Sequence, residues 1–386
     1  MIPGPIEVSP AVVEAFSIKP PSHVAPDVIE AFGRSLERMR SVWCAGADGQ
    51  PFVIPGSGSL AMDVAANSVV EPGDRVLQVN TGYFGDRMAI MLRRRGAEVV
   101  EVGAELGEAP AIEQVASALQ NGPFKAIFAT HVDTSTGVRI DPAPICRLAR
   151  EHGCLSVFDG VCATAGERFE MQAWDADVYL TGSQKAVGLP AGLALLMLSP
   201  RAMAARAALK VAPPMSLDVE VWLPIMQAYE ARRPSYFATP PTNLIMALDV
   251  SIGEILADRV ADETGMAARF TRHQMAADAM RAAWRSMGLR MVPAEGLEAN
   301  TLSAVKLPDG VDPTLPGKVE AHGVIIAGGL HPKIKSTYFR VGHMGEVVSH
   351  PDLLLRTVGA VAAGLNDAGY PADAATARVA AEKELG

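Results

Sequence analysis

Between residues 53 and 198, short apolar runs alternate with helical patterns, and this alternation limits the possible folds more than any other feature of the chain. Val53-Ile54 opens the series and runs into Pro55-Gly56-Ser57-Gly58-Ser59; residues 60–68 then read as a helix. A strand is expected over 75–79 after the turn Glu71-Pro72-Gly73-Asp74, a helix over 84–95, and strands over 98–102 and 126–130. A helix over 144–152 precedes strands at 155–158, 178–180 and 193–198. Strands that are apolar throughout and separated by helices predict an α/β fold, a mainly parallel sheet covered on both faces. Ligands of such sheets gather beyond the carboxyl ends of the strands. Asp159 and the segment 131–137 each follow a strand directly, so both are expected there.

After about residue 199 the pattern changes to long helices, clearest over 242–255 and 267–287. A smaller α+β region follows, with strands expected at 302–305, 324–326 and 338–341 and a helix over 352–366. The expected division is an N-terminal segment 1–20, a large domain 21–260 and a small C-terminal domain 261–386. The Ala/Glu-rich stretch from Pro371 reads as an exposed helix or a frayed end.

The chain of 386 residues is 49% hydrophobic and 20% charged, which excludes a disordered polymer. A net charge of -9 weighs against nucleic acid or an anionic membrane as the main partner. No apolar run approaches the ~20 residues that span a bilayer, and no basic stretch leads into a long apolar one at the N-terminus. Cys44, Cys146, Cys154 and Cys162 form no CxxC pair and read as reduced core thiols. A cytoplasmic location is expected. The eight histidines have no metal-motif spacing, so no metal is expected; His131 and His343 read as structural.

The chemistry concentrates in Tyr179-Leu180-Thr181-Gly182-Ser183-Gln184-Lys185 and Val157-Phe158-Asp159. As two strand ends they set an acid and a lysine at one edge of the sheet. Pyridoxal 5′-phosphate (PLP) chemistry needs that pair: an amine to condense with the cofactor aldehyde, and a carboxylate to keep the pyridine nitrogen protonated. Small and apolar neighbours around Lys185 would desolvate its amine and lower its pKa. Gly56-Ser57-Gly58-Ser59 before a helix offers backbone N–H groups to a phosphate, yet equally describes a plain turn with a helix cap. Phe84 at a strand-to-helix turn could stack on a flat ring, with Tyr83 as competitor. Arg340, within an apolar strand pattern, has the planar fork that suits a substrate carboxylate.

Together these residues carry a resemblance to the class V aminotransferases of PLP fold type I, especially the fungal-type alanine:glyoxylate branch. The similar segments are Ile2-Pro3-Gly4-Pro5, Gly56-Ser57-Gly58, 131–136 (His-Val-Asp-Thr-Ser-Thr), Ser183-Gln184-Lys185-Ala186, Tyr236-Phe237-Ala238-Thr239-Pro240-Pro241, Ile326-Ala327-Gly328-Gly329 and 340–345. The resemblance implies a mainly parallel, seven-stranded-type sheet sandwiched by helices, PLP as cofactor, and transfer of the amino group of L-alanine to glyoxylate by a ping-pong route. It implies Lys185 as the Schiff-base lysine and Asp159 as the pyridinium partner. Ser57, Gly58, Ser59 and Gln184 would lie on the phosphate, Phe84 would stack, and Thr134 would lie near the ring hydroxyl. Arg340 would clamp the substrate carboxylate, and the segment around Gly4 would border the substrate pocket. Tyr236 and Thr239 would reach the phosphate of the other subunit of a homodimer. Asp159 is followed by Gly160-Val161, where relatives more often have Ala or Ser before Val, and Phe84 lacks a polar ring group.

Serine as donor, to glyoxylate or pyruvate, is the nearest rival. A cysteine desulfurase would need a thiol downstream of Lys185, and every cysteine precedes it. A non-catalytic PLP-binding protein would be favoured by loss of Lys185 or Arg340, and both are present. A nicotinamide dehydrogenase would need an acid about 20 residues beyond the Gly56 turn, where Asn80 stands.

Overall fold

The computed structural model describes residues 1–386. Seven strands form the main sheet: β1 (Gln50–Pro55), β2 (Arg75–Asn80), β3 (Glu98–Gly103), β4 (Ala126–Thr130), β5 (Leu155–Asp159), β6 (Val178–Gly182) and β7 (Leu193–Leu198). Their spatial order is β1-β7-β6-β5-β4-β2-β3. The β2–β3, β2–β4, β4–β5 and β5–β6 pairs are parallel. Strand β7 runs antiparallel to both β6 and β1. Every residue of β4, β5, β6 and β7 is buried, which is why these segments read as unbroken apolar runs rather than alternating ones.

Two hydrophobic cores result. One surrounds the main sheet and draws residues from Val12 to Met266. The other lies against a small sheet of β8 (Leu302–Lys306), β9 (Ala327–Gly328) and β10 (Tyr338–Gly342), ordered β8-β10-β9 and antiparallel throughout. The helix Met266–Ser286 belongs to both: Met266 packs in the first core, and Ala276, Met280 and Trp284 in the second.

One expectation is corrected. The strand expected at 324–326 is not one; pairing with β10 starts at Ala327, opposite Arg340. Val324 and Ile326 are buried in the second core while Ile325 is 58% exposed. The alternation is real but serves packing without a ladder. Of the two readings of the C-terminal stretch, the structure has the mostly exposed helix and not the frayed end. Helix Ala374–Leu385 starts at Asp373, whose carboxylate accepts from the N–H groups of Ala375 (2.9 Å) and Thr376 (3.2 Å). Ala377 and Ala381, one turn apart, are buried in the second core. Alanine at both positions lets the helix approach closely, a signal that a polar, alanine-rich composition hides.

Candidate functional site

The carboxyl ends of β2, β4, β5 and β6 deliver the site, as the parallel sheet requires. Asp159 ends β5 and Lys185 lies three residues past the end of β6, in the turn that leads to β7. Both are nearly inaccessible, at 3% and 8% exposure. Burial pushes the Asp159 carboxyl up to about 7, and the neighbouring Asp133 charge adds to that rise. The Val161 N–H (2.9 Å) and the charges of Lys185 and Arg87 oppose it. Burial lowers the Lys185 amine below its ordinary value, helped by Arg340 and opposed by Cys162 and Asp159. The two groups are thus shifted in opposite senses, the acid up and the amine down, each mainly by burial, an arrangement typical of reactive sites.

The first residues of the chain close over the amine. Lys185 Nζ donates to the carbonyl oxygen of Pro3. The Ile6 N–H donates to the Gln184 carbonyl (3.3 Å), and the Gly342 N–H to that of Met1 (2.9 Å). Gly4 sits at φ +95, and a Cβ there would lie 2.6 Å from Lys185 Cδ and 2.8 Å from Nζ. Only glycine meets both demands. Gly160 has a different constraint: a Cβ there would come within 2.2 Å of the Tyr179 ring. That ring is stacked on Phe169 at 3.8 Å, and its hydroxyl is 2.8 Å from His131 Nδ1. The departure at Gly160 is thus the companion of a tyrosine at 179. His131 is fully buried and its pKa is lowered to about 3, so the ring is neutral at physiological pH. His343, buried between Ser303 and the Asn300 carbonyl, is lowered to about 3 likewise.

At the start of helix Gly58–Val69, Ser57 occupies the cap position but its side chain makes no cap hydrogen bond. Its hydroxyl and the first N–H groups are left to other partners. Gln184 Oε1 is buried without a hydrogen-bond partner. A Cβ on Gly182 would lie 2.8 Å from both Gln184 Oε1 and Gly58 N, so these two groups border one space kept open by a glycine. Free helix-start N–H groups fit a phosphate-bearing cofactor, and the Gln184 amide, turned end for end, would add its NH2 as a donor to the same space.

Phe84 stands at the start of helix Tyr83–Arg95, half-buried and edge-on to Tyr83 at 5.5 Å. Its position is set by Asp133, a residue that the sequence reading did not single out. Asp133 Oδ2 accepts from the N–H groups of Phe84 (2.9 Å) and Gly85 (3.3 Å), and Oδ1 from Ser135 N (2.9 Å) and Oγ (2.6 Å). A cap supplied from 49 residues away leaves no local signature. Thr134 is buried, and its carbonyl accepts from Arg340 Nη1 (3.2 Å); Arg340 Nε donates to the Gly328 carbonyl (2.9 Å). Tyr338, on the same face of β10, donates to the Ser135 carbonyl. The small sheet is so fastened to the loop that follows β4. Cys162 is a buried free thiol, as expected, 3.8 Å from Thr301 Oγ1, with burial pushing the thiol up.

Lys185, Asp159, Gln184, Ser57, Gly58, Ser59, Phe84, Thr134, Arg340 and Gly4 therefore belong to connected elements at one end of the sheet. Tyr236 and Thr239 do not join them. Their hydroxyls meet each other at 3.2 Å, Tyr236 is 61% exposed, and its ring neighbour is His23. No group of three His, Cys, Asp or Glu side chains is placed to hold a metal ion. No helix is long and apolar enough to cross a membrane.

Comparison with known proteins agrees with this geometry. Residues 31–333 match the family model of the class V aminotransferases. Alanine–glyoxylate aminotransferase 1 of Saccharomyces cerevisiae is 36% identical over 370 residues, covering 92% of this chain and 93% of that one. Serine–glyoxylate aminotransferase of Arabidopsis thaliana is 29% identical over 96% of this chain and 90% of its own. The crystal structure of an alanine–glyoxylate aminotransferase from Nostoc sp. superposes with a TM-score of 0.86 at 27% identity, covering 95% of this chain and 94% of that one. The family match over residues 31–333 and the yeast relative at 36% identity carry one conclusion: the chain belongs to the class V aminotransferase family.

Proposed function

We propose that this PLP-dependent aminotransferase moves the amino group of L-alanine to glyoxylate, releasing pyruvate and forming glycine. The observation that carries the reading is the convergence of a desolvated lysine amine, a buried carboxyl and an arginine fork at one sheet edge, in a chain 36% identical to the yeast alanine–glyoxylate enzyme. PLP, when bound, supplies an aldehyde for the amine and a ring that withdraws electrons from the substrate α-carbon. Asp159 would face the ring nitrogen, where a cation returns the carboxyl to its ionised form. Ser57, Gly58, Ser59 and Gln184 would hold the phosphate, Phe84 would stack on the ring, and Thr134 would lie beside its hydroxyl.

Arg340 is proposed to bind the substrate carboxylate through the part of its fork not given to Thr134 and Gly328. Lys185, with its proton affinity lowered by burial, would take the proton from the substrate α-carbon and later return one to the product. The segment around Gly4 would cover the pocket and keep water from it. Donor and acceptor would use the same pocket in turn, which is a ping-pong order.

We further infer a homodimer in which Tyr236 and Thr239 complete the phosphate site of the partner; their exposure, and hydroxyls that meet only each other, support it. Of the division into 1–20, 21–260 and 261–386, the two cores support the boundary near 260; the segment 1–20 is set apart by its cover over Lys185 although its Val12 packs in the first core. Four unpaired cysteines suit a reducing, cytoplasmic setting. Serine remains the competing donor, since relatives carry that name too. A donor panel of alanine and serine, each against glyoxylate and pyruvate, tests the assignment. Alanine with glyoxylate should give the highest kcat/KM; a clear preference for serine would replace it.

A further inference from the structure

The proposed phosphate cradle is short of positive charge. Ser57, Gly58, Ser59 and Gln184 are neutral, and a helix start contributes only about half a unit charge, against ~1.5–2 negative charges on a phosphate monoester. Lys185 is committed to the aldehyde, and Arg340 is tied to Thr134 and Gly328. One further cation borders the cradle. Arg87 Nη1 donates to Ser59 Oγ (3.0 Å) and Nη2 to Tyr83 Oη (3.2 Å). Both partners are hydroxyls, and no carboxylate pairs with this guanidinium. Arg93 on the same helix, by contrast, is paired with Glu101 at 2.5 Å. The acid next to Arg87 in sequence, Asp86, is engaged by Asn80 (2.7 Å) and faces His331 at 3.7 Å.

Arg87 also lies over both aromatic rings of the turn, 5.0 Å from the Tyr83 centroid and 5.1 Å from that of Phe84. These residues are four and three positions before it on one helix, the spacing that brings side chains together. A cation within about 6 Å of a ring face is attracted to it. One guanidinium thus joins the proposed phosphate loop to the proposed stacking residue.

We propose that Arg87 is a positioning residue for the cofactor: it balances the phosphate charge through Ser59 and holds Phe84 against the ring. The inference rests on reading Ser57–Ser59 and Gln184 as the phosphate cradle. Its test compares apoenzyme affinity for PLP and for pyridoxal, which lacks the phosphate, in the wild type, Arg87→Gln, Arg87→Lys and Gln184→Ala. Thermal melting of each apoenzyme confirms folding.

Arg87→Gln should weaken PLP by at least about tenfold and make PLP binding less sensitive to salt. Pyridoxal should change by no more than about threefold, since ring contacts alone are worth little. Arg87→Lys should recover part of the loss. If Arg87→Gln leaves both affinities unchanged, or lowers both equally, while Gln184→Ala weakens PLP selectively, the role of Arg87 is overturned and the cradle stands. If Gln184→Ala also fails to discriminate PLP from pyridoxal, the cradle itself is wrong and the inference falls with it.

Discussion

The Lys185 amine donates a hydrogen bond to the backbone carbonyl of Pro3, 182 residues earlier in the chain. The chain start is therefore part of the wall around the reactive nitrogen. Gly4 is its tightest point, with a positive φ and no room for a Cβ beside the lysine side chain. Gly4→Ala should lower kcat/KM by at least about tenfold, since the left-handed backbone alone costs an L-residue roughly 1–2 kcal/mol. Global stability should fall by no more than about those 1–2 kcal/mol, because the segment can lift off the lysine. Steady-state kinetics alongside a urea melt checks this; an unimpaired Gly4→Ala enzyme would show that the segment does not press on the lysine.

Asp159 gives a pH-dependent stability with a definite sign. Its carboxyl holds a proton up to about 7 in the folded apoprotein, against 3.8 for the ordinary value. The folded state therefore binds more protons than the unfolded state between those values, and this group's contribution turns increasingly unfavourable as pH rises through them. Asp159→Asn removes the ionisation and can still accept from Val161 N–H. The mutant apoprotein should gain stability over wild type as pH rises from about 4, levelling off above about 7 at up to roughly 4 kcal/mol. Denaturant melts at pH 5 and pH 8 measure the difference. In the holoenzyme the advantage should shrink or reverse, because the mutant loses the partner of the ring nitrogen.

Arg340 spans two backbone carbonyls, that of Thr134 after β4 and that of Gly328 in β9. Arg340→Ala should raise KM for both the amino acid and the oxo acid, with kcat/KM falling by about thirtyfold or more if 2–5 kcal/mol of charge pairing is lost. Arg340→Lys should restore little, because an ammonium cannot serve two carbonyls and a carboxylate in one plane. An unchanged KM for both substrates would remove Arg340 from the binding role.

Tyr236 and Thr239 lead to a mixing experiment. Lys185→Ala and Tyr236→Ala homodimers should each be nearly inactive. After subunit exchange, a heterodimer has one site with both wild-type residues if Tyr236 serves the partner, so activity should return to about a quarter of wild type in an equal mixture. Sites built within one chain would regain nothing.

Much of this was legible from sequence because the main sheet is buried on both faces. Strands β4 to β7 announce themselves as apolar runs, and their carboxyl ends lead directly to Asp159 and Lys185. Short-range signals stop where the structure relies on long-range contacts. Asp133 caps a helix that precedes it by some fifty residues, and Pro3 reaches Lys185 across 182 residues. Arg87 looks like one more basic residue on a helix that ends in Arg93-Arg94-Arg95. Its orientation toward Ser59 is set by how two helices pack, and no local pattern encodes that. The segment 324–326 shows the opposite failure, where strand-like alternation arose from burial alone.

The most direct test is the half-reaction. Holoenzyme incubated with L-alanine and no acceptor should release about one pyruvate per chain, because the amino group stays on the enzyme until an acceptor arrives. The visible absorbance of the cofactor should shift in parallel, and Lys185→Ala should release almost none. Wild-type enzyme that yields no pyruvate and shows no shift, or a Lys185→Ala variant that matches wild type, would contradict a transaminase built around this lysine.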